Sequence, residues 1–186
     1  DDATSEGVDM LQVVGTFHLV ASVSALIFGL WVLLIRKGTY LHKWLGYAYF
    51  FNMLGLNLSA FFIYRLTGHF GPFHGAAIAS LITLIAGFIP AYVRYPRKGW
   101  LELHYEFMNW SYAGLVAAGV SEALTRIPAS PFWGAVLTGS MLVFLVGGAL
   151  IIRGRGRYRF ANQTDRFNDR GVDWVTAWRE RRTNCG

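Results

Sequence analysis

The chain has 186 residues, 54% of them hydrophobic, and a formal net charge of +6. Its charges are gathered in a few short segments, which excludes an ordinary soluble domain with charged residues spread over its whole surface. Nine of the 17 Lys and Arg residues fall within 153–186. The positive charge therefore belongs to one end of the chain, which favours contact with anionic lipid headgroups over a nucleic-acid interface.

Five apolar stretches divide the chain, and each is about 19 to 25 residues long, enough to cross a hydrocarbon layer of about 30 Å as a helix. They cover residues 11–35, 44–64, 73–93, 103–121 and 132–152. A soluble helix rarely stays apolar on every face over that length. We therefore predict an all-α integral membrane protein with five transmembrane helices over 11–152, an outer lead (1–10) and a basic tail (153–186).

The distribution of Lys and Arg predicts the orientation of this bundle. Fifteen of the 17 lie in the loop after the first helix, in the loop after the third, or in the tail, whereas Arg65 and Arg126 lie on the other side. Basic residues are retained on the cytoplasmic side of a membrane. We therefore expect the N-terminus outside and the tail inside, in a bacterial inner membrane.

The first predicted helix has one face of small residues. Gly15, His18, Ser22, Ala25 and Gly29 recur every three or four residues and therefore share one side. Small residues on one face of a membrane helix let another helix, or a flat ligand, approach closely. The other faces are rich in Leu, Val, Ile and Trp and suit lipid.

The next three predicted helices each begin close to a histidine. His42 lies at the start of the second helix, with Gly46 about one turn later. His74 follows a turn that contains Gly and Pro, and His104 lies in the first turn of the fourth helix. The fifth helix has no His, Asp, Glu, Lys or Arg, which is typical of a scaffold or of a helix that faces a partner subunit.

The tail has a turn-prone, Arg-rich composition. Trp174 and Trp178 are four residues apart, which leaves open both a short amphipathic helix at the membrane surface and a solvated tail ordered by a partner. Cys185 is the single cysteine. That count excludes an internal disulfide framework and a metal centre built from cysteines.

Four histidines form a two-level pattern. In an up-and-down arrangement His18 and His74 lie toward the outer side and His42 and His104 toward the inner side, about 20 Å apart along the membrane normal. Four antiparallel helices can place the first and third on one diagonal and the second and fourth on the other. Each level would then have two imidazoles facing each other across the bundle.

Paired imidazoles with small residues beside them suit the ligation of b-type haem, because neutral imidazole binds haem iron and the porphyrin needs a flat apolar slot. Gly15 lies three residues before His18, and Gly46 lies four after His42, so both could line such a slot. The pattern predicts one or two haems, or another metal, held by His18/His74 and His42/His104. Two sites at opposite leaflets would carry electrons across the membrane.

Simpler roles stand beside this hypothesis for each histidine. His42 could anchor its helix at the headgroups, since amphipathic rings gather at membrane interfaces. His74 could cap the third helix after its Pro-containing turn. His104 could pair with Glu102 or Glu106. His18 is the hardest to explain in this way, because a polar group at that depth usually has a partner or a function.

Other polar residues in the helices have simpler interpretations. Glu122 lies four residues before Arg126, which favours an ion pair along one helix over a proton-relay role. Asn52, Asn57 and Asn109 favour hydrogen bonds between helices over metal ligation.

Three segments carry a family resemblance: "LHKWLGYAYFFNMLGLNLSAFFIY", "GPFHGAAIASLITLIAGF" and "LELHYEFMNWSYAGL". They resemble bacterial multi-pass membrane proteins grouped as domain of unknown function 2306, over about residues 14–125. The resemblance runs through H-[KR]-W-x-G, F-H and H-x-x-x-M starts on successive helices. The matching positions are His18, His42, Gly46, His74, His104 and Met108. The sequence departs in "HYEFM", where basic residues often follow the histidine.

The ligand pattern also resembles the transmembrane cytochrome b561 group, by analogy alone, because histidines on helices n and n+2 share a haem there. The resulting hypothesis is haem-dependent electron transfer across the membrane. The alternative is a non-catalytic accessory subunit of a larger respiratory or photosynthetic complex, docked through the Arg-rich tail. A small transporter is a weaker third, since there is no inverted repeat or broken central helix. Whether the protein is an enzyme stays open.

Overall fold

A computed structural model of the chain describes residues 2–63, 70–96, 99–128 and 131–168, and five α-helices account for most of them. No strand occurs within these ranges, so the predicted all-α class is confirmed there. The helices are α1 (Asp2–Leu34), α2 (Tyr40–Ala60), α3 (Pro72–Val93), α4 (Trp100–Thr125) and α5 (Phe132–Asn168).

The helices extend beyond the apolar stretches wherever polar residues can continue the hydrogen bonding. α2 begins at Tyr40, not at 44, because the Thr39 side chain accepts a hydrogen bond from the backbone N–H of His42 at 3.2 Å. α4 begins after Gly99, whose φ of 107° suits glycine and whose carbonyl accepts from the N–H of Leu103 at 2.9 Å. Hydropathy therefore indicates the part of each helix that suits lipid, whereas the capping hydrogen bonds determine where α2 and α4 begin.

The two ends of the chain are more helical than the composition predicts. α1 includes most of the predicted lead, and α5 continues through 153–168 into the tail that was expected to form turns. Arginine is a good helix former and no proline interrupts this segment, so the helix continues despite Gly154 and Gly156. The predicted amphipathic segment around Trp174 and Trp178 lies outside the described residues.

The first four helices pack in a closed ring. Each packs against the next in sequence, and α1 also contacts α4. Within the described residues no Cα atom of α1 comes within 8 Å of α3, and none of α2 comes within 8 Å of α4, so only side chains meet across the middle of the ring. The two pairs therefore lie on the diagonals, as predicted. α5 packs along α4, outside the ring.

Small residues of α1 position the middle of the ring. Ala25 is fully buried, and a side chain at Gly29 would collide with the ring of Tyr112 and approach that of Tyr49. The hydroxyl groups of Tyr49 and Ser111 are hydrogen-bonded at 3.0 Å in this core. The predicted small-residue face of α1 is therefore used for helix packing at this level.

Among the described residues, three helices are long and apolar enough to cross a membrane: Gln12–Leu34, Pro72–Val93 and Phe132–Gly156. Their outward faces expose large apolar side chains, as lipid-facing helices do. α2 and α4 are also long enough to cross, but they carry polar residues, including Asn57 and Ser111, that are buried inside the ring. The fold is that of an integral membrane protein.

Candidate functional site

The structure brings His42 and His104 together. Their rings meet across the α2–α4 diagonal in an edge-type arrangement, with their centroids 6.4 Å apart and their planes at 89°. α2 and α4 both begin at this end of the bundle, where α1 and α3 finish. Lys and Arg of the connecting loops gather here, and we call it the basic end.

A backbone carbonyl of α3 orients His104. The Nδ1 atom of His104 lies 2.8 Å from the carbonyl oxygen of Gly87. A carbonyl oxygen only accepts hydrogen bonds, so Nδ1 carries the hydrogen and the other ring nitrogen, Nε2, keeps its lone pair. This is the usual arrangement of a metal-binding histidine, in which the second nitrogen donates to a carbonyl or carboxylate and fixes the tautomer.

Gly87 allows this contact because it has no side chain. A Cβ atom at this position would lie 2.9 Å from the backbone nitrogen and the side chain of Met108. α3 and α4 therefore approach each other more closely than any other residue at 87 would permit. The motif residue Met108 packs against this glycine, as a core methionine does.

His42 has a buried nitrogen without a hydrogen-bond partner among the described residues, its Nδ1 atom. A buried polar atom without a hydrogen-bond partner costs free energy and is a place where a ligand, ion or water can bind. Lys37 lies in the connection between α1 and α2, five residues before His42. Its amino group donates to the carbonyls of Val32 and Leu33 at the end of α1, and burial lowers the pKa of Lys37.

The spacing of the His42–His104 pair suits a shared metal ion. A metal–imidazole bond is about 2 Å long and a ring nitrogen lies about 1 Å from its ring centre, so two imidazoles on opposite sides of one ion have centres about 6 Å apart. Residues described by the structure include no group of three or more His, Cys, Asp or Glu that could hold a metal ion. A macrocycle that supplies its own equatorial nitrogens needs only the two axial ligands.

His18 has a protein partner at the other end of the bundle. Its Nδ1 atom lies 2.9 Å from the hydroxyl of Ser59, which donates its single hydrogen to the carbonyl of Leu56 at 2.9 Å. His18 must therefore donate to Ser59, and its Nε2 atom keeps a lone pair. The protonation pattern of His18 matches that of His104.

His74 has the opposite pattern. In the first turn of α3 its Nδ1 atom accepts a hydrogen bond from the backbone N–H of Gly71 at 3.1 Å. A neutral ring then carries its hydrogen on Nε2, which makes that nitrogen a donor and not a ligand. The ring is buried and stacks on Phe70 with centroids 4.9 Å apart. The predicted capping role of His74 is confirmed, and His18 and His74 are held by different partners.

The two glycines that were expected to line a slot both have open space beside them. A Cβ atom at Gly46 or Gly15 would meet no atom within 4 Å. At Gly46 the open space lies one turn from His42, where a flat ligand could approach. Gly15 lies on an exposed part of α1.

Several polar contacts differ from the predictions. Asn52, Asn57 and Asn109 each donate to a carbonyl four residues earlier in their own helix, so the expected bonds between helices are wrong for these donor groups. Glu106 pairs with Arg155 of α5 and not with His104. The Glu122–Arg126 ion pair is confirmed at 2.5 Å.

The partners that orient the histidines were not identified from the sequence. Gly87 acts through its carbonyl, which every residue has, so no sequence signal marks it. Ser59 lies among ordinary small residues of α2. Lys37 was counted only for orientation, although its distance in sequence from His42 is short.

The profile of a protein family described as "Predicted membrane protein (DUF2306)" matches residues 15–153. The chain belongs to this family. The DUF2306 match runs from within α1 to residue 153 of α5, and all four histidines lie within it. No curated protein and no solved structure matches the chain.

Proposed function

We propose that this DUF2306 protein holds one b-type haem between His42 and His104 and serves in electron transfer at the membrane. The observation that carries the proposal is the facing pair itself, with a spacing suited to a shared iron and with His104 held by the carbonyl of Gly87. Two imidazoles are too few for a metal site made of protein alone, and they are the number that haem iron requires.

Each residue near the pair has a definite part in this proposal. His104 presents Nε2 because Gly87 holds Nδ1, and His42 has a buried ring nitrogen for which an iron would be a partner. Lys37 supplies a positive charge beside the acidic groups of the haem. When bound, the haem iron would change between its ferric and ferrous states and pass on one electron at a time.

The proposal includes five membrane crossings, with the basic end on the cytoplasmic side. α2 and α4 would cross because their length suffices and because the ring hides the polar residues that lower their hydropathy. The excess of Lys and Arg at the basic end supports this orientation. The haem would then lie near the cytoplasmic face.

A second haem between His18 and His74 would complete a path across the membrane. It requires His74 to release the N–H of Gly71 and to move its hydrogen from Nε2 to Nδ1. His18 needs no such change, because Ser59 already fixes its tautomer. The two-haem form is therefore a larger rearrangement than the one-haem form.

The test is an absorption spectrum of the full chain, purified in detergent from cells supplied with a haem precursor, first oxidised and then reduced. We expect a Soret band that is lost in His42→Ala and in His104→Ala. His74→Gln is the matched control and should keep the band. A folded but colourless wild-type protein would overturn the proposal, and loss of half the haem in His18→Ala would establish the two-haem form.

An accessory subunit of a larger membrane complex is the second candidate. The observation that favours it is the position of α5, which packs outside the ring on α4 and exposes Leu137, Met141 and Leu145. Native gel electrophoresis of mildly solubilised membranes tests this role. Migration with a large assembly, lost when residues 169–186 are deleted, would support it, and migration as a free protein would oppose it.

A further inference from the structure

A cleft between α1 and α5 lies apart from the histidines. α4 forms its floor, and α1 and α5 do not pack against each other anywhere in the described part of the chain. The cleft has a volume of about 510 Å³, within the range of small-molecule sites. Its walls are apolar and include Leu33 of α1 with Leu142, Val146 and Leu150 of α5.

The polar groups of the floor are turned to other parts of the protein. The hydroxyl of Tyr105 donates to the carbonyl of Ile151 at 3.0 Å, and that of Tyr112 donates to the carbonyl of Leu26 at 3.2 Å. The side-chain amide of Asn109 donates to the carbonyl of Tyr105 at 2.6 Å. Both hydroxyl hydrogens and one N–H of the amide are used, so the floor presents mainly rings and hydrocarbon to an occupant. That surface suits a hydrocarbon chain better than a polar head.

Two arginines follow residues that line the cleft. Leu33 and Leu150 line the cleft near the basic end, and Arg36 and Arg153 follow each of them by three residues. Two acidic residues of α4 lie at this end: Glu106 is paired with Arg155, and Glu102 lies in the first turn of α4. Arg36 therefore comes just after the end of α1, and Arg153 comes one turn of α5 past Leu150, on the side of the cleft toward the basic end.

We infer that this cleft binds one anionic phospholipid. One acyl chain lies between α1 and α5, and the headgroup phosphate is bound by Arg36 and Arg153. An anionic lipid is complementary to both features. Its acyl chain is apolar like the walls of the cleft, and its headgroup is negative where Arg36 and Arg153 are positive. The inference does not depend on haem binding.

The acyl-chain half is tested by filling the cleft. Val146 and Leu142 line it and are 54% and 58% exposed, so Val146→Trp and Leu142→Trp add bulk to the cleft without replacing a core residue. The matched control is Leu145→Trp, which lies on the same helix, is 63% exposed and does not line the cleft. The full chain is purified in detergent, mixed with phosphatidylglycerol or phosphatidylcholine, and examined by native mass spectrometry.

We expect the wild type and Leu145→Trp to retain one phosphatidylglycerol. Val146→Trp and Leu142→Trp should each bind it about tenfold more weakly, because the tryptophan prevents several methylene groups of the acyl chain from being buried in the cleft. Equal retention in the filling variants and the control would overturn the inference. A dimer that is lost in Val146→Trp would show that a second copy of this chain occupies the cleft, and would also overturn it.

The headgroup half is tested by removing charge. Arg36→Gln and Arg153→Gln should each weaken phosphatidylglycerol binding by about fivefold, as expected for one basic residue near an anionic group. Binding of phosphatidylcholine should change little. Arg126→Gln, at the opposite end of α4, is the control. Equal retention of the two lipids by the wild type would overturn the choice of an anionic headgroup.

Discussion

Each end of the four-helix ring has two histidines, but the hydrogen-bond partners of these histidines differ between the two ends. At the basic end His42 and His104 face each other, and a carbonyl of α3 leaves His104 with a lone pair on Nε2. At the opposite end His18 has a lone pair on the same atom, but His74 accepts a backbone N–H and caps α3. The residue type is the same in all four positions, so the hydrogen-bond partner decides what each ring can bind.

Backbone groups at α3, and not neighbouring side chains, provide the hydrogen-bond partners of His104 and His74. Gly87 lies inside α3, six residues before its end at Val93, whereas Gly71 precedes the first turn of the same helix. The carbonyl of Gly87 accepts the hydrogen of Nδ1 in His104, which leaves the lone pair of Nε2 available for a ligand. The N–H of Gly71, at the start of the helix, donates to Nδ1 of His74, so the hydrogen of that ring is on Nε2. α3 therefore supplies the partner at both ends and favours metal binding at only one.

The largest effect is expected from Gly87→Leu, which should disrupt the basic end alone. The new side chain would collide with Met108 and push α3 away from α4, at a cost of up to about 3 kcal/mol in the free energy of unfolding. His104 would lose its carbonyl partner. Gly75→Leu is the control in the same helix, because no atom lies within 4 Å of its Cβ position. Thermal unfolding in detergent that is equal for both variants would contradict this packing.

His74→Ala should have the next largest effect, at the opposite end. It removes the acceptor for the N–H of Gly71 and a buried ring that stacks on Phe70, so we expect a loss of about 1–2 kcal/mol. Glutamine at this position of a helix can accept the same N–H. His74→Gln should therefore recover much of the loss in unfolding midpoint. Equal damage by alanine and glutamine would show that the cap is not what the ring contributes.

Ser59→Ala should have a smaller effect that separates the two ends. It leaves the Nδ1–H of His18 without its acceptor, which we expect to cost about 1 kcal/mol. The haem spectrum assigned to His42 and His104 should not change. Ser22→Ala serves as the control, since the hydroxyl of Ser22 bonds only within its own helix, to Leu19. A shifted spectrum in Ser59→Ala would indicate that His18 takes part in ligation.

The smallest effect is expected from Glu122→Gln. Both side chains of the Glu122–Arg126 pair are largely exposed, and pairs of this kind along one helix contribute about 0.3–0.5 kcal/mol. Glu106→Gln should be more damaging, because the Glu106 side chain is mostly buried and links α4 to α5. Unfolding midpoints at low and high salt measure both, and a larger loss in Glu122→Gln would contradict the ranking.

The sequence predicted the number of helices, their order and the diagonal placement of the histidines, because apolar length and short connections decide these features. It did not predict the ends of the helices, since Thr39 and Gly99 act through hydrogen bonds that hydropathy does not register. The asparagines were misjudged because a side-chain amide can bond its own helix as readily as a neighbour.

The candidate site was predicted in its residues and not in its chemistry. The spacing of the histidines indicated which rings lie at one level, and His74 was recognised as a possible cap from the glycine and proline that precede it. The tautomers depend on Gly87 and Ser59, which are distant in sequence from the rings they hold. Contacts of that kind follow from how closely the helices approach, and a single sequence does not give that distance.

α5 continues without interruption to Asn168, sixteen residues past Ile152, where its apolar stretch ends. That length of helix is about 24 Å, so the end of α5 lies well beyond the apolar stretch, while its rotation about the helix axis follows from the packing of α5 on α4. Inserting a single residue after Ile152 would turn the far end by about 100°. The number of residues between the bundle and the end of α5 therefore determines the direction in which that end faces.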